Sequence, residues 1–353
     1  MPLNRGTNRT TLSGIKSRSV GFINSMTGWL RSYCYKCFIM GRFMGYRVRN
    51  VCVIGAGTMG TQIAVHALCF GYKVTIFDVD SSKLEKSLQK VRFAGSSSRA
   101  PIISPERWMN AAKSLKISLS LKEALKDADL VMEAGPEDIA VKRDLFKQMD
   151  ELTSDYSILA TTSSSIPVSR LLPCTEKDKQ CLNLHFYPPT IVTNMVDVMG
   201  SPATRAEVMD AAVQWVISLG CVPLNVKKEL LGFCYNRIWR AIKKEVLFMW
   251  AEDFVDYREI DRAWMIANGT PMGPFGLMDA IGLDVVYDIE MIYYQDSNKP
   301  EDFPPSRLEQ KIKQGELGAK TRHGFYTYPD PEYSNPDFCN PKAHRPIVDQ
   351  KTD

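Results

Sequence analysis

The first 77 residues contain no aspartate or glutamate; the first acidic side chain is Asp78. Residues 1–49 carry nine lysines and arginines, leaving 35 basic against 40 acidic residues beyond them in a chain of formal net charge +4. A mildly acidic body argues against nucleic-acid binding, which needs a basic patch or stripe. The acid-free leader, residues 1–47, is rich in Arg, Ser, Thr and Asn and has the composition of a mitochondrial transit peptide. A matrix location is expected if it acts as one, and a cytoplasmic location otherwise. No run of about 18 apolar residues occurs, so no membrane span is expected. The nine cysteines show no pairing rhythm, as in a reducing compartment. Cys34 and Cys37 form a C-x-x-C, but no second pair or nearby His completes a metal site, and no metal is expected.

The 353 residues suffice for two domains. Val51-Cys-Val-Ile-Gly-Ala-Gly-Thr-Met-Gly60 is a β-branched run breaking into three spaced glycines. Val51, Val53 and Ile54 read as a buried parallel strand, and Thr61 to Phe70 as a helix. Gly55, Gly57 and Gly60 then supply a tight turn, close backbone approach to a pyrophosphate, and close helix–strand packing. The helix N-terminus adds free N–H groups and the positive end of its dipole. A second strand, Lys73 to Phe77, ends in Asp78, placed to accept hydrogen bonds from a ribose diol. No arginine follows it directly, so NAD is favoured over NADP.

Further strands are expected at 128–133, 157–162, 182–186 and 195–198, with helices at 137–152 and 203–219 and a strand-like stretch at 221–226. Alternation of this kind describes an α/β fold, a doubly wound Rossmann-type sheet domain over residues 48–227. From residue 228 the pattern turns helical, at 232–250, 260–268 and 283–294, giving an all-α C-terminal domain to residue 329. Residues 330–353, rich in Pro, Asn and Asp, are expected to form a loose tail. No internal repeat is present. Ser81 and Ser82 can cap a helix that carries Lys83, Lys86 and Lys90 on one face.

His185 closes a strand, and Asp197 follows twelve residues later on the next one. A carboxylate there would fix the histidine tautomer and stabilise the imidazolium formed when the ring takes a proton.

Six stretches, in order, resemble the 3-hydroxyacyl-CoA dehydrogenase family over about residues 49–329. They are Val53–Gly60; Ala128–Ala134; Leu184-His-Phe186; Gly232-Phe-Cys-Tyr-Asn-Arg237; Gly273-Pro-Phe-Gly-Leu-Met-Asp279 with Ile281-Gly-Leu-Asp284; and Gly318-Ala-Lys-Thr321 with Gly324-Phe-Tyr326. The resemblance implies NAD-dependent oxidation of a 3-hydroxyacyl-CoA, as in fatty-acid β-oxidation, in a homodimer formed through the helical domain. It implies that Gly55, Gly57, Gly60, Asp78, Glu137, Lys142 and Lys320 hold NAD. By the same likeness His185 is the acid/base and Asp197 its partner, Ser164 and Asn236 bind the reacting oxygen, and Ser87 touches CoA.

The chain also departs from the family pattern. Asp197 stands where the family has Glu, Pro188 replaces an Asn, Thr162-Ser163 replaces Asn-Thr, and Arg322 replaces a Gly before His323. Two alternatives stay open: a dehydrogenase of a free hydroxy acid, similar to the gulonate dehydrogenase and λ-crystallin branch, or an NAD-binding relative with a weakened site and a structural role.

Overall fold

The computed structural model describes residues 46–80, 82, 83, 86, 87 and 101–340. The leader with its cysteine pair, Lys90 and residues 341–353 lie outside the described residues.

Eight strands form one sheet in the order β3-β2-β1-β4-β5-β6-β7-β8. They are β1 (Asn50–Ile54), β2 (Lys73–Phe77), β3 (Lys116–Ser118), β4 (Leu130–Glu133), β5 (Ile158–Thr161), β6 (Cys181–Phe186), β7 (Met195–Gly200) and β8 (Val222–Val226). The first six run parallel; β7 reverses against β6, and β8 follows β7. The order turns around between β1 and β4, and ligands of open α/β sheets bind outside the carboxyl ends of strands at such a point.

Period-two alternation sorts β1 into two cores. Val51 and Val53 pack with Ile63, Ala64, Val216 and Trp215 of helices α1 (Thr58–Cys69) and α5 (Ala206–Ser218). Cys52 and Ile54 pack on the opposite face with Phe146 and Met149 of α4 (Ile139–Leu152). Two short helices, α2 (Pro105–Lys113) and α3 (Leu121–Leu125), and the three-residue strand β3 are not apparent from periodicity, because helices this short complete at most about two and a half turns and β3 a single alternation. Pro223 is accommodated because β8 is an edge strand.

After β8 the described residues form five α-helices: α6 (Tyr235–Ala251), α7 (Tyr257–Asn268), α8 (Pro274–Ile281), α9 (Leu283–Ser297) and α10 (Ser306–Lys313). Their aromatic core is pinned by two buried carboxylates. Asp261 accepts the Phe275 and Gly276 amides, 2.8 and 2.9 Å away at the start of α8, and the Tyr326 hydroxyl at 3.0 Å. Asp279 accepts the Phe325 and Tyr326 amides at 2.9 and 2.8 Å and the Tyr328 hydroxyl at 3.2 Å. The family-like stretches around residues 273–279 and 324–326 are thus two sides of one polar clasp. Burial, which outweighs these hydrogen bonds, pushes the Asp261 carboxyl up to about 6.

The loose tail expected at 330–353 is corrected for its first part. Tyr333 and Phe338 are buried in the aromatic core, so residues 330–340 belong to the helical domain; their polar composition hid two anchoring rings. Among the described residues no helix is long and apolar enough to cross a membrane.

Burial drives the phenols of Tyr326 and Tyr328 above their ordinary value, and the neighbouring Asp261 and Asp279 push them further in the same direction. A phenol whose folded value exceeds its unfolded value of about 10 contributes stability that is whole below that pH and is lost as pH rises past it. Phenolate absorbance from these two rings should therefore appear only together with loss of helical circular dichroism in an alkaline titration. Titration of every tyrosine near pH 10 with the fold intact would refute this.

Candidate active site

The glycine loop is held in shape from three sides. Gly55 has φ +105°, and a Cβ there would stand 2.5 Å from the Ala134 carbonyl oxygen at the end of β4. At Gly60 a Cβ would run into the Gly55 carbonyl oxygen. Gly57 differs: nothing lies within 4 Å of where its Cβ would be, and it caps α1 without a side-chain bond to the first-turn amides. Open space over free N–H groups fits a pyrophosphate. The Asp78 carboxylate accepts the Ala56 amide at 2.8 Å and the Asp80 amide at 3.0 Å, with the Lys83 ammonium at 3.6 Å. A carboxylate offers about four acceptor positions, so capacity remains for a ribose diol.

Ser87, expected at CoA, is buried, and its hydroxyl donates to the Ala56 carbonyl at 2.7 Å, bracing the glycine turn. Lys142, expected to touch the cofactor, has no exposed surface: its ammonium lies 2.9 Å from both oxygens of Glu133. Removing one partner of such a buried pair costs on the order of 3–5 kcal/mol. Glu133, not singled out by sequence reasoning, also accepts the Gly135 amide at 2.7 Å and the Thr161 hydroxyl at 2.6 Å. The signal was a charge closing the otherwise apolar strand Leu130–Glu133.

Lys142 also approaches Glu137, at 3.4 Å. Glu137 accepts the Ser163 hydroxyl at 2.5 Å and the Ser165 hydroxyl at 2.7 Å. Burial works against its charge, but these two serines and the Lys142 ammonium prevail and hold it below the usual carboxylate range. Glu137 therefore clamps the serines on either side of Ser164 and leaves Ser164 exposed. Lys320 stands in the helical domain, ion-paired to Asp284 at 2.5 Å.

His185 and Asp197 are register partners across the β6–β7 pair, and His185 Nδ1 lies 3.1 Å from Asp197 Oδ2. A carboxylate can only accept, so Nδ1 carries the proton and Nε2 is the free nitrogen of the neutral ring. His185 is 6 % exposed and Asp197 fully buried. Sequence reasoning missed Tyr187, whose hydroxyl donates to the same carboxylate oxygen at 2.5 Å. Burial raises its phenol, and the bond to Asp197 adds to this. Its position two residues beyond His185, the spacing that repeats a strand face and here falls just past the end of β6, was the available signal.

The helical domain closes the arrangement. The Cys234 amide reaches Asp197 Oδ1 at 3.4 Å, and the Phe233 ring stacks on His185 with centroids 5.0 Å apart. Phe233 has φ +51°, an uncommon conformation for a bulky residue, and it directs the ring onto the imidazole. Asn236 follows in the first turn of α6 and, with Ser164, lines a cavity of about 140 Å³ between the two domains.

The open glycine position, Gly57, and the crowded one, Gly60, can be told apart by substitution. Gly57→Ala should leave the thermal midpoint nearly unchanged and weaken dinucleotide binding by about tenfold or more, measured by titration calorimetry. Gly60→Ala should instead destabilise the fold by about 1–3 kcal/mol, as overpacked sites do. Equal effects of both on stability would overturn the assignment.

Comparison with known proteins agrees with this geometry. The family model described as 3-hydroxyacyl-CoA dehydrogenase, NAD binding domain, matches residues 50–230, and the C-terminal domain of the same family matches residues 232–328. The chain is 31 % identical to a 3-hydroxybutyryl-CoA dehydrogenase of Clostridioides difficile, over 79 % of this chain and 99 % of that protein. It is 30 % identical to the mitochondrial hydroxyacyl-coenzyme A dehydrogenase of Sus scrofa, over 80 % and 91 %. A solved diketoreductase, described as acting on dicarbonyl compounds, superposes with a TM-score of 0.70 at 31 % identity, covering 81 % of this chain and all of that one. With both domains matched in order and the glycine loop and Asp78 fitted to the dinucleotide, the chain belongs to the NAD-dependent 3-hydroxyacyl-CoA dehydrogenase family.

Proposed function

We propose that the protein oxidises a 3-hydroxyacyl-CoA to the 3-ketoacyl thioester, with His185 as acid/base. The observation that carries this is the hydrogen-bonded His185–Asp197 pair packed against the α6 entrance, where Asn236 shares a cavity with Ser164. When bound, NAD supplies the acceptor for the hydride leaving C3. His185 Nε2 takes the hydroxyl proton, while Asp197 keeps Nδ1 protonated and stabilises the imidazolium. Ser164 and Asn236 donate hydrogen bonds to the oxygen as it becomes a carbonyl, and to the developing oxyanion in reverse. Glu137 and Lys142 act by positioning the Ser163–Ser165 loop, and Gly55, Gly57, Gly60 and Asp78 hold the cofactor.

Asp197 is one methylene shorter than the family's Glu. The register pairing and the Tyr187 hydroxyl compensate: the first brings the strands together at that residue, and the second holds the carboxylate oxygen that faces the ring. Exposed Phe248, Phe254 and Ile266 on the helical domain support self-association through that domain, which gel filtration tests.

A second reading, oxidation of a free hydroxy acid, is favoured by Pro188 in place of a side-chain donor and by likeness to the diketoreductase. NADH oxidation with acetoacetyl-CoA, beside free acetoacetate, separates the two. Turnover of the thioester alone supports the proposal; turnover of the free acid alone replaces it.

His185→Gln should lower turnover by about 10²–10⁴-fold while NAD affinity stays within error, since proton transfer is the step removed. Undiminished turnover in the folded variant would sink the assignment. Tyr187→Phe should lower kcat by about tenfold, the smaller end for losing a hydrogen bond to a charged group, with little change in KM. An unchanged kcat would reduce Tyr187 to packing.

A further inference from the structure

The cavity that Ser164 and Asn236 share is not uniformly apolar. Ile281, Ile289 and Ile292 form part of its wall, yet Lys243 of α6 lines it as well. Asn236, Trp239 and Lys243 recur at spacings of three and four, which brings all three to one face of the helix. Lys243 is 2 % exposed, so its charge is held away from bulk water. Its ammonium lies 2.8 Å from Glu290 Oε1 on α9. An ammonium carries three donors, and among the described residues this carboxylate oxygen is its one charged partner within 4 Å.

The surroundings do not neutralise it. Arg240 reaches Glu290 at 3.3 Å and Asp302 at 2.7 Å, and Lys244 reaches Asp302 at 2.6 Å. Three cations thus face two carboxylates, and the surplus is positive. A cavity built for a plain alkyl group would gain nothing from this arrangement. Desolvating an ammonium costs several kcal/mol, and Met or Leu of similar reach would fill the wall without that cost. An anionic oxygen arriving in the cavity would instead meet the unused donors.

We propose that Lys243 makes this cavity a receptor for an acyl group that ends in a carboxylate, so that the substrate is a short 3-hydroxyacyl thioester of a dicarboxylic acid. The inference rests on the reading above, in which the reacting oxygen sits between Ser164 and Asn236. The cavity volume of about 140 Å³ sets the length. At about 30 Å³ for each water-sized group it admits roughly five non-hydrogen atoms. Two methylenes and a carboxylate beyond C3 make up that number, which corresponds to a six-carbon diacid.

The test compares two thioesters of equal carbon count, 3-ketoadipyl-CoA and 3-ketohexanoyl-CoA, in NADH oxidation by the full chain. The wild type should favour the diacid thioester in kcat/KM by about tenfold or more, as a charge-assisted hydrogen bond does. Lys243→Met should abolish or invert that preference, and Lys243→Arg should retain it. Because Lys243→Met leaves the buried Glu290 with Arg240 as its one charged partner among the described residues, the double variant Lys243→Met/Glu290→Gln is measured alongside, with thermal midpoints for all. The ratio between substrates, rather than overall rate, is the quantity a merely structural lysine would leave unchanged.

A wild type that turns over both thioesters equally, or prefers the methyl-ended one, overturns the inference and leaves the acyl-CoA reading intact. Preference for the diacid that survives in the double variant overturns Lys243 as its source. Turnover of neither thioester, with free acetoacetate reduced, defeats the acyl-CoA reading itself and this inference with it.

Discussion

A single buried carboxylate, Asp197, ties the sheet domain to the entrance of the helical domain. Burying a charge without partners would cost more than the fold could sustain. Its partners come from three directions: His185 from the register partner strand, Tyr187 from beyond that strand's end, and the Cys234 amide from the entrance to the helical domain. The antiparallel turn of β7 against β6 is what makes this possible, because it sets residue 185 directly opposite residue 197. The helical domain then docks where the third donor is required, and in docking it brings Phe233 onto the imidazole and Asn236 to the cavity.

A second buried charge organises the other side of the site. Glu133 and Lys142 form an ion pair sealed from solvent, and the pair extends through Glu137 to the serines flanking Ser164. Two groups expected at the ligands, Lys142 and Ser87, are bonded within the protein. Lys142 and Ser87 shape the loops that face the ligand, and their own polar atoms are already occupied by Glu133 and Ala56. In a low-dielectric interior such satisfied networks are stiff, which suits loops that must hold a substrate in a reactive geometry.

Much of this was legible in the residues. The glycine spacing, the strand ending at Asp78 and the alternation of strands and helices gave the sheet domain, because each signal is local and periodic. The pairing of His185 with Asp197 was legible as a spacing across a strand–turn–strand unit. What stayed hidden depended on distant partners. Tyr187 reads as one more aromatic until the register is known, and Lys243 reads as a solvated helical charge until α9 brings Glu290 against it. The short elements β3, α2 and α3 fall below the length at which periodicity speaks. Residues 330–340 hid two anchoring rings within a polar stretch, and composition cannot weigh two side chains against nine.

The path of the chain through the cavity divides responsibility between its halves. The glycine loop and Asp78 belong to the sheet domain, whereas Trp239, Lys243 and the isoleucines of the cavity wall come from the helical domain. A substitution on α6 or α9 therefore alters the cavity wall while leaving the glycine loop and Asp78 in place. The dinucleotide loop and these wall residues are thus set by different stretches of the chain, one before residue 80 and the other after residue 230.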